Sequence, residues 1–278
     1  MGAVFSQYFE ELDVAQLAHT YASALPFPHI VLDGAIDGDR IDAAATSFPE
    51  ADGPNWTSYL HLNERKRGNT HLDTWPSELQ TVAKELMSPP FIAFLEQLTG
   101  IPALLPDPSF DGGGLHRSER GGFLNIHTDF TAHHGQVGWE RRINVLLYLN
   151  EDWDEAWGGH LEFWSADMQR CETLVAPALN RMVVFTTTTS SYHGHPAPLS
   201  CPEGTARESL ALYYFTSGSS KPVRTTDYRA RPGDGLKRVG IYLDKKVLRL
   251  YDIVKHRTGV SDVVVSRWLS RLSRRRRP

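Results

Sequence analysis

The order of apolar and polar residues changes twice along the chain. In roughly the first hundred residues, and again beyond about residue 236, apolar positions recur every three or four residues, which predicts amphipathic helices. The expected helices cover 6–24, 40–47, 77–98, 239–253 and 261–272. We expect the third of them to be interrupted at the Pro89-Pro90 pair and to end at Gly100, because proline lacks a backbone donor and glycine favours a helix terminus.

Between these helical regions the chain consists of short apolar runs separated by Gly, Pro, Asn and Asp, which is the pattern of a β-sandwich or barrel. The runs cover 122–130, 143–149, 160–164, 172–175, 182–187 and 208–216. A separate strand is expected over 27–33. We therefore predict one domain that is mainly β with flanking helices (α+β). In it, 1–105 form an N-terminal helical and strand region, 106–220 the β-core, and 221–278 C-terminal helices with an Arg-rich tail.

Composition limits the possible classes of protein. The chain has 278 residues, of which 41% are hydrophobic, enough for a sizeable core. No apolar run approaches the ~18 residues of a membrane span, and no signal-peptide pattern opens the sequence. The two cysteines, Cys171 and Cys201, are too few for a disulfide framework. We therefore expect a cytoplasmic protein with no membrane partner.

Charge is unevenly distributed. The formal net charge is −4, yet the last thirteen residues contain six arginines and no acidic residue, so residues 1–265 carry −10. An acidic body lacks the basic surface that binds nucleic acid, and no nucleic-acid partner is expected. The arginines, which we expect to form a solvated chain end rather than a binding arm, are Arg267, Arg271, Arg274, Arg275, Arg276 and Arg277.

One apolar run contains a potential pair of metal ligands. His127 and Asp129 are separated by one residue, and residues i and i+2 of a strand project to the same side of the sheet. A third ligand would come from an opposing strand, where His193 and His195 are the candidates. Two imidazoles and one carboxylate suit iron(II) and leave positions open for a cosubstrate and O2. Taken singly, His127 can instead be a hydrogen-bonded core histidine and Asp129 a turn residue.

Further motifs follow this pair in a distinctive order. They are His127-Thr128-Asp129, Tyr148-Leu149-Asn150, Gly158-Gly159, Val183-Val184-Phe185, His193-Gly194 and Arg207-Glu208-Ser209. The series resembles the iron(II)/2-oxoglutarate-dependent dioxygenases, specifically their prolyl 4-hydroxylase-like branch, over about residues 110–217. The resemblance implies a double-stranded β-helix (jelly-roll) core at 106–220 that carries the metal site, within a single dioxygenase domain over 1–278.

By this resemblance, His127, Asp129 and His193 are the catalytic iron ligands. His193 is preferred to His195 because it follows the Val-Val-Phe strand and a short turn, the context of the family's distal histidine. His195 would then be a residue on the substrate side or a loop histidine.

The resemblance also assigns a binding site for the cosubstrate, 2-oxoglutarate. Arg207 would pair with the far carboxylate, aided by the Tyr148 hydroxyl and by Ser209 on the same strand face. Arg207 follows His193 by fourteen residues instead of the family's usual ten or so, which we attribute to a longer loop. Two neighbours on the strand that enters the core, Arg142 and Asn144, would share a face with Tyr148 and contact cosubstrate or substrate.

The expected reaction is hydroxylation of an unactivated C–H bond with release of succinate and CO2. The substrate would be a small metabolite, an amino acid or a prolyl residue of a peptide. The alternative is a cupin-like metal-dependent isomerase or binding protein without redox turnover, for which Arg207 and Tyr148 are not needed. The basic cluster Arg65-Lys66-Arg67 is expected to be a solvated turn, with contact to an anionic group as the alternative. His116 either lines the pocket or lies in a loop.

Overall fold

The computed structural model describes residues 13–218 and 224–242, and four α-helices lie within residues 14–99 of this part of the chain. They are α1 (Val14–Ser23), α2 (Gly38–Thr46), α3 (Ser77–Leu86) and α4 (Pro89–Thr99). The Asp13 carboxylate caps α1, and residues 1–12, where this helix was expected to begin, lie outside the described chain. The proline pair separates α3 from α4 by opening the second helix, and Gly100 ends it with φ 68°.

Thirteen strands of the described residues form one sheet whose strand pairs are all antiparallel. They are β1 (His29–Asp33), β2 (Thr57–Leu60), β3 (Glu64–Asn69), β4 (Leu105–Pro106), β5 (Gly114–Glu119), β6 (Phe123–Thr128), β7 (Glu140–Tyr148), β8 (Leu161–Trp164), β9 (Cys171–Val175), β10 (Arg181–Thr186), β11 (Tyr192–His195), β12 (Ala206–Thr216) and β13 (Asp227–Tyr228). The main order is β1-β10-β7-β12-β5-β3-β6-β11-β8-β9. The sheet curls into a nearly closed jelly-roll, which confirms the predicted fold class.

The seven expected strands are all present, as β1, β6, β7, β8, β9, β10 and β12. Four further strands of four or more residues were not predicted, namely β2, β3, β5 and β11. Of these, β3 reads Glu-Arg-Lys-Arg-Gly-Asn, and β5 reads Gly-Leu-His-Arg-Ser-Glu. Their polar side chains form ion pairs or line the interior cavity, so neither strand shows the apolar alternation by which strands are identified in a sequence.

The two faces of β7 and β12 separate the core from the site. Val145, Leu147 and Leu210 lie in the main apolar cluster, which the helices complete through residues such as Leu79 and Phe91. The residues next to these on the same strands, among them Tyr148 and Ala211, belong to separate clusters inside the barrel. Burying a leucine or phenylalanine contributes about 1.5–3 kcal/mol, so this packing fixes the wall on which the polar residues stand.

The C-terminal region is described only in part. Residues 237–242 are helical, in keeping with the helix expected over 239–253, while the remainder of that helix, the one expected over 261–272 and the Arg-rich tail lie outside the described residues. None of the helices within the described ranges has the length and apolar character that crossing a membrane requires.

Candidate active site

Two histidines face each other across neighbouring strands. His127 on β6 and His193 on β11 are paired residues in the antiparallel register, and their ring centroids are 4.5 Å apart. Each ring donates its Nδ1–H to the carbonyl oxygen two residues earlier: His127 to Asn125 and His193 to Ser191, both at 2.9 Å. These bonds select the tautomer whose Nε2 carries a lone pair, which is how metal-binding histidines are commonly oriented.

Asp129 completes the group. Its Oδ1 lies 3.5 Å from Nε2 of His127, and its Oδ2 lies 3.5 Å from Nε2 of His193. One donor atom from each residue falls within 4.8 Å of the others, and no other His, Cys, Asp or Glu group in the described ranges meets this criterion. Burial lowers the pKa of His193 to about 4, so its ring is neutral and able to donate a lone pair. Two nitrogens and one carboxylate oxygen fit iron(II).

A buried guanidinium and an amide hold the Asp129 carboxylate. Nδ2 of Asn144 donates to Oδ2 at 2.6 Å, and Nη2 of Arg141 lies 3.1 Å from the same oxygen. Nε of Arg141 in turn donates to Asn144 at 2.8 Å. Burial opposes ionisation of Asp129, but the charge of Arg141 and the neighbouring histidines hold its pKa well below the usual range. The carboxylate is therefore anionic, with Oδ2 engaged and Oδ1 available to a metal.

The arginine that faces this site is Arg141, and the prediction that Arg142 shares a face with Asn144 is wrong. Simple alternation fails because β7 contains a bulge: Tyr214 of β12 pairs with Ile143, but the next residue pairs with Arg141. Arg142 is therefore the extra residue of the bulge, and its Nη1 donates to the Thr216 hydroxyl at 3.4 Å.

Aromatic rings pack against the side chain of Arg141 and bury it inside the barrel. It is 1% exposed, and its guanidinium carbon lies 3.2 Å from the Tyr213 ring centroid and 4.6 Å from that of Phe130. Such stacking suits a planar cation that is withdrawn from water. Arg141 is therefore a fixed positive charge beside Asp129.

Arg207, Tyr148 and Ser209 lie together on the wall formed by β7 and β12, where Ser209 pairs with Tyr148. Arg207 is 6% exposed, and its Nη2 donates to the Tyr148 hydroxyl at 2.9 Å while its Nε donates to the Gly159 carbonyl at 2.7 Å. Burial raises the pKa of the Tyr148 phenol, which keeps it protonated. A held guanidinium beside two hydroxyl groups is a carboxylate-binding arrangement.

The Gly158-Gly159 motif makes this arrangement possible. Both glycines have φ near +78°, a region that residues with a Cβ rarely occupy. At Gly159 an added Cβ would also lie 2.8 Å from Leu199 and 3.0 Å from Cδ of Arg207. Only glycine therefore brings the backbone carbonyl close enough to accept from Arg207.

One cavity of about 220 Å³ joins these parts. It is lined by the three candidate metal ligands and by Asn144, Arg207 and Ser209. Tyr148 does not line the cavity but hydrogen-bonds to Arg207, which does. The structure therefore brings together all of the sequence-predicted site residues except Arg142. His195 also lines the cavity, but the group that can hold a metal contains His193 instead. His116 lines it too, and burial lowers the pKa of both these remaining histidines well below the usual range.

Part of the cavity wall carries no signal that predicts it from the sequence. Tyr59, Glu64 and Lys66 enter it from the β2–β3 hairpin, and Tyr228 enters it from β13. The prediction of a solvated turn at residues 65–67 is therefore wrong, because these residues form the middle of β3 and Lys66 points into the cavity. The available signal was the run of charged residues from Glu64 to Arg67, but such a run is also typical of exposed turns.

Gly194 sets the spacing between the two histidine strands. An added Cβ would lie 2.7 Å from the carbonyl oxygen of Leu124 and 2.9 Å from that of Asn125, so β11 would have to move away from β6. We expect Gly194→Ala to displace His193 and to lower iron(II) affinity by about 10–100-fold, the effect of losing a ligand's orienting partner. Equilibrium dialysis with iron(II) measures this. Gly38→Ala, where no atom lies within 4 Å of the added Cβ, is the control; equal affinities of the two variants would contradict the account.

Comparison with known proteins agrees with this geometry. Residues 113–215 match the model of the 2OG-Fe(II) oxygenase superfamily. No curated protein sequence gives a significant match. Among solved structures, the chain is similar to a prolyl 4-hydroxylase of Pseudomonas putida (17% identity, 72% of this chain and 99% of that chain, TM-score 0.50). It is also similar to a prolyl hydroxylase of Trichoplax adhaerens, solved with a peptide fragment of hypoxia inducible factor (11% identity, 76% and 93%, TM-score 0.52).

Proposed function

We propose that this chain hydroxylates an unactivated C–H bond of a small metabolite, an amino acid or a prolyl residue and releases succinate and CO2. Its core, residues 113–215, is a 2OG-Fe(II) oxygenase domain. The enzyme is a 2-oxoglutarate-dependent dioxygenase that uses iron(II), 2-oxoglutarate and O2. One observation carries the proposal: a possible three-ligand metal site and a buried carboxylate-binding group line the same small cavity.

Each half of the cavity has its own task. His127, Asp129 and His193 would hold the iron, which together with 2-oxoglutarate and O2 supplies the oxidising power that amino-acid side chains lack. Arg207, supported by Tyr148, would bind the far carboxylate of the cosubstrate. The walls would limit the access of bulk water and keep the substrate's C–H bond close to the metal.

The burial of Arg207 favours an oxygenase over a cupin-like protein without redox turnover. A guanidinium that is 6% exposed loses most of its hydration, which is costly unless an anion compensates. Its protein contacts are a carbonyl and a phenol, both neutral. A dicarboxylate cosubstrate supplies the missing anion, whereas a cupin-like site has no need of the arginine.

Several observations bear on the substrate. The Trichoplax relative is described with a peptide, which is consistent with a prolyl-peptide substrate here. The cavity volume of about 220 Å³ admits the cosubstrate and only a small part of a further molecule. A peptide would therefore insert no more than one side chain, and a small metabolite would enter only in part.

Turnover assays test the proposal. The protein is incubated with iron(II), 2-oxoglutarate and air, and a panel of free amino acids, small metabolites and Pro-containing peptides is added singly. The proposal predicts succinate formation that depends on each cofactor and rises with one class of compound, together with a product heavier by one oxygen atom. Succinate-free turnover of any compound, such as isomerisation with no gain of oxygen, would contradict it.

A further inference from the structure

Lys66 is a buried lysine that the proposed chemistry does not use. It lies in the middle of β3, its side chain is 13% exposed, and it lines the same cavity as the candidate iron ligands. Its Nζ is 3.4 Å from Oε2 of Glu64 and 5.3 Å from the ring centroid of Tyr59. A lysine is rarely this buried unless it is paired.

The charges that line the cavity do not cancel. Lys66, Arg141 and Arg207 are positive, whereas Glu64 and Asp129 are negative. The four histidines of the lining, His116, His127, His193 and His195, are counted as neutral imidazoles. Iron(II) and the 2-oxoglutarate dianion cancel each other, so the loaded cavity retains one surplus positive charge. A cleft lined with a surplus of positive charge attracts an anionic ligand.

Of the three cations that line the cavity, Lys66 is the one best able to bind that ligand. Arg141 is paired with Asp129 and Asn144 and fixed by the rings of Phe130 and Tyr213, which leaves its two terminal nitrogens buried without a hydrogen bond and unable to move towards a ligand. Arg207 is held by Tyr148 and Gly159 and faces the cosubstrate. Lys66 has a flexible stem and a contact to Glu64 that is long for a charged hydrogen bond.

The Glu64 carboxylate has a second partner besides Lys66. Its Oε1 lies 2.8 Å from Nε2 of His61, on the side away from the lysine contact. The charges of Lys66 and His61 overcome the opposing effect of burial and lower the pKa of Glu64 to about 2. The Glu64 carboxylate therefore keeps His61 as a partner if Lys66 turns towards a ligand.

We propose that Lys66 binds a carboxylate group of the substrate, which makes the substrate a small carboxylate-bearing molecule, such as a free amino acid, rather than a neutral peptide segment. This inference rests on the proposed function and narrows it. Tyr59, Phe130, Tyr213 and Tyr228 line the cavity and offer the apolar contact for the rest of such a molecule.

Matched pairs of ligands test the inference. Protein loaded with iron(II) and 2-oxoglutarate without oxygen is titrated in a calorimeter with L-proline, L-leucine, L-phenylalanine and L-glutamine, each compared with its carboxamide. We expect at least one acid to bind about tenfold or more tightly than its amide, the size of effect that a charged hydrogen bond gives. Lys66→Met should reduce the acid's affinity to that of the amide, and Lys66→Arg should preserve the preference.

The control is Arg65→Met, which removes the same charge from the same strand at an exposed residue. It should leave the affinities for the acid and for 2-oxoglutarate within about twofold of wild type. If no acid binds better than its amide, or if Lys66→Met weakens 2-oxoglutarate instead of the acid, the inference is overturned. Failure of the wild-type protein to bind 2-oxoglutarate would contradict the proposed function itself.

Discussion

Asp129→Ala is expected to abolish succinate formation, with a loss of more than about 100-fold. Changes to residues that merely orient a metal ligand commonly cost 10–100-fold in metal affinity or activity, and this change removes the only carboxylate of the group. Two neutral imidazoles would remain, without the negative charge that balances the metal. Iron(II) affinity by equilibrium dialysis and succinate release at saturating 2-oxoglutarate give the two measurements.

The same substitution has a predicted cost in stability. Arg141 is 1% exposed and lies 3.1 Å from Asp129, so the alanine variant leaves a buried guanidinium without its anion. Breaking a buried ion pair in this way costs about 3–5 kcal/mol in the free energy of unfolding. Asp129→Asn retains the side-chain shape and is the variant of choice if the alanine variant does not fold.

Asp111→Ala is the matched control. Asp111 is also a carboxylate beside a histidine, with Oδ2 2.7 Å from Nδ1 of His134, but neither residue lines the cavity. We expect this variant to keep wild-type iron affinity and turnover. Wild-type turnover in the Asp129 variant would refute the role given to that carboxylate.

Arg207→Met is expected to raise the KM for 2-oxoglutarate by roughly 30-fold to several thousand-fold, because truncating one partner of a buried charge pair costs about 2–5 kcal/mol. The effect should fall on cosubstrate binding and leave iron affinity close to wild type, since Arg207 is not among the metal-binding group. Steady-state succinate formation as a function of 2-oxoglutarate concentration measures it.

Two comparisons make the Arg207 result specific. Arg120→Met removes a guanidinium that binds the carbonyl oxygens of Ser200 and Cys201 outside the cavity, and it should leave this KM unchanged. Tyr148→Phe removes a single hydrogen bond to Arg207, and a smaller rise is expected. An unchanged KM in Arg207→Met would show that the cosubstrate carboxylate binds elsewhere.

The sequence allowed the metal group to be predicted because the one-residue gap between His127 and Asp129 has a fixed consequence in a strand. It did not determine which distal histidine faces them, since that depends on the β6–β11 register. There His193 pairs directly with His127, and the register then shifts before His195. The choice of His193 came from the order of motifs, and the geometry places it in the group.

Two features of the site depend on tertiary structure and escaped prediction. The bulge in β7 reverses the faces of Arg141 and Arg142, and nothing in the local sequence marks its position. Lys66 enters the cavity because β3 inserts between β5 and β6, a pairing between distant parts of the chain. Local patterns describe the faces of a strand but not which strands become neighbours, so long-range pairing decides these two residues.

The proposed function requires one cavity to bind iron(II) and 2-oxoglutarate together. Absorption spectroscopy without oxygen tests it most directly: iron(II) is added to the protein, followed by 2-oxoglutarate. We expect a visible charge-transfer band that requires protein, metal and cosubstrate, is lost in Asp129→Ala, and needs far more 2-oxoglutarate in Arg207→Met. Absence of the band in the wild-type protein, or an undiminished band in Asp129→Ala, would contradict it.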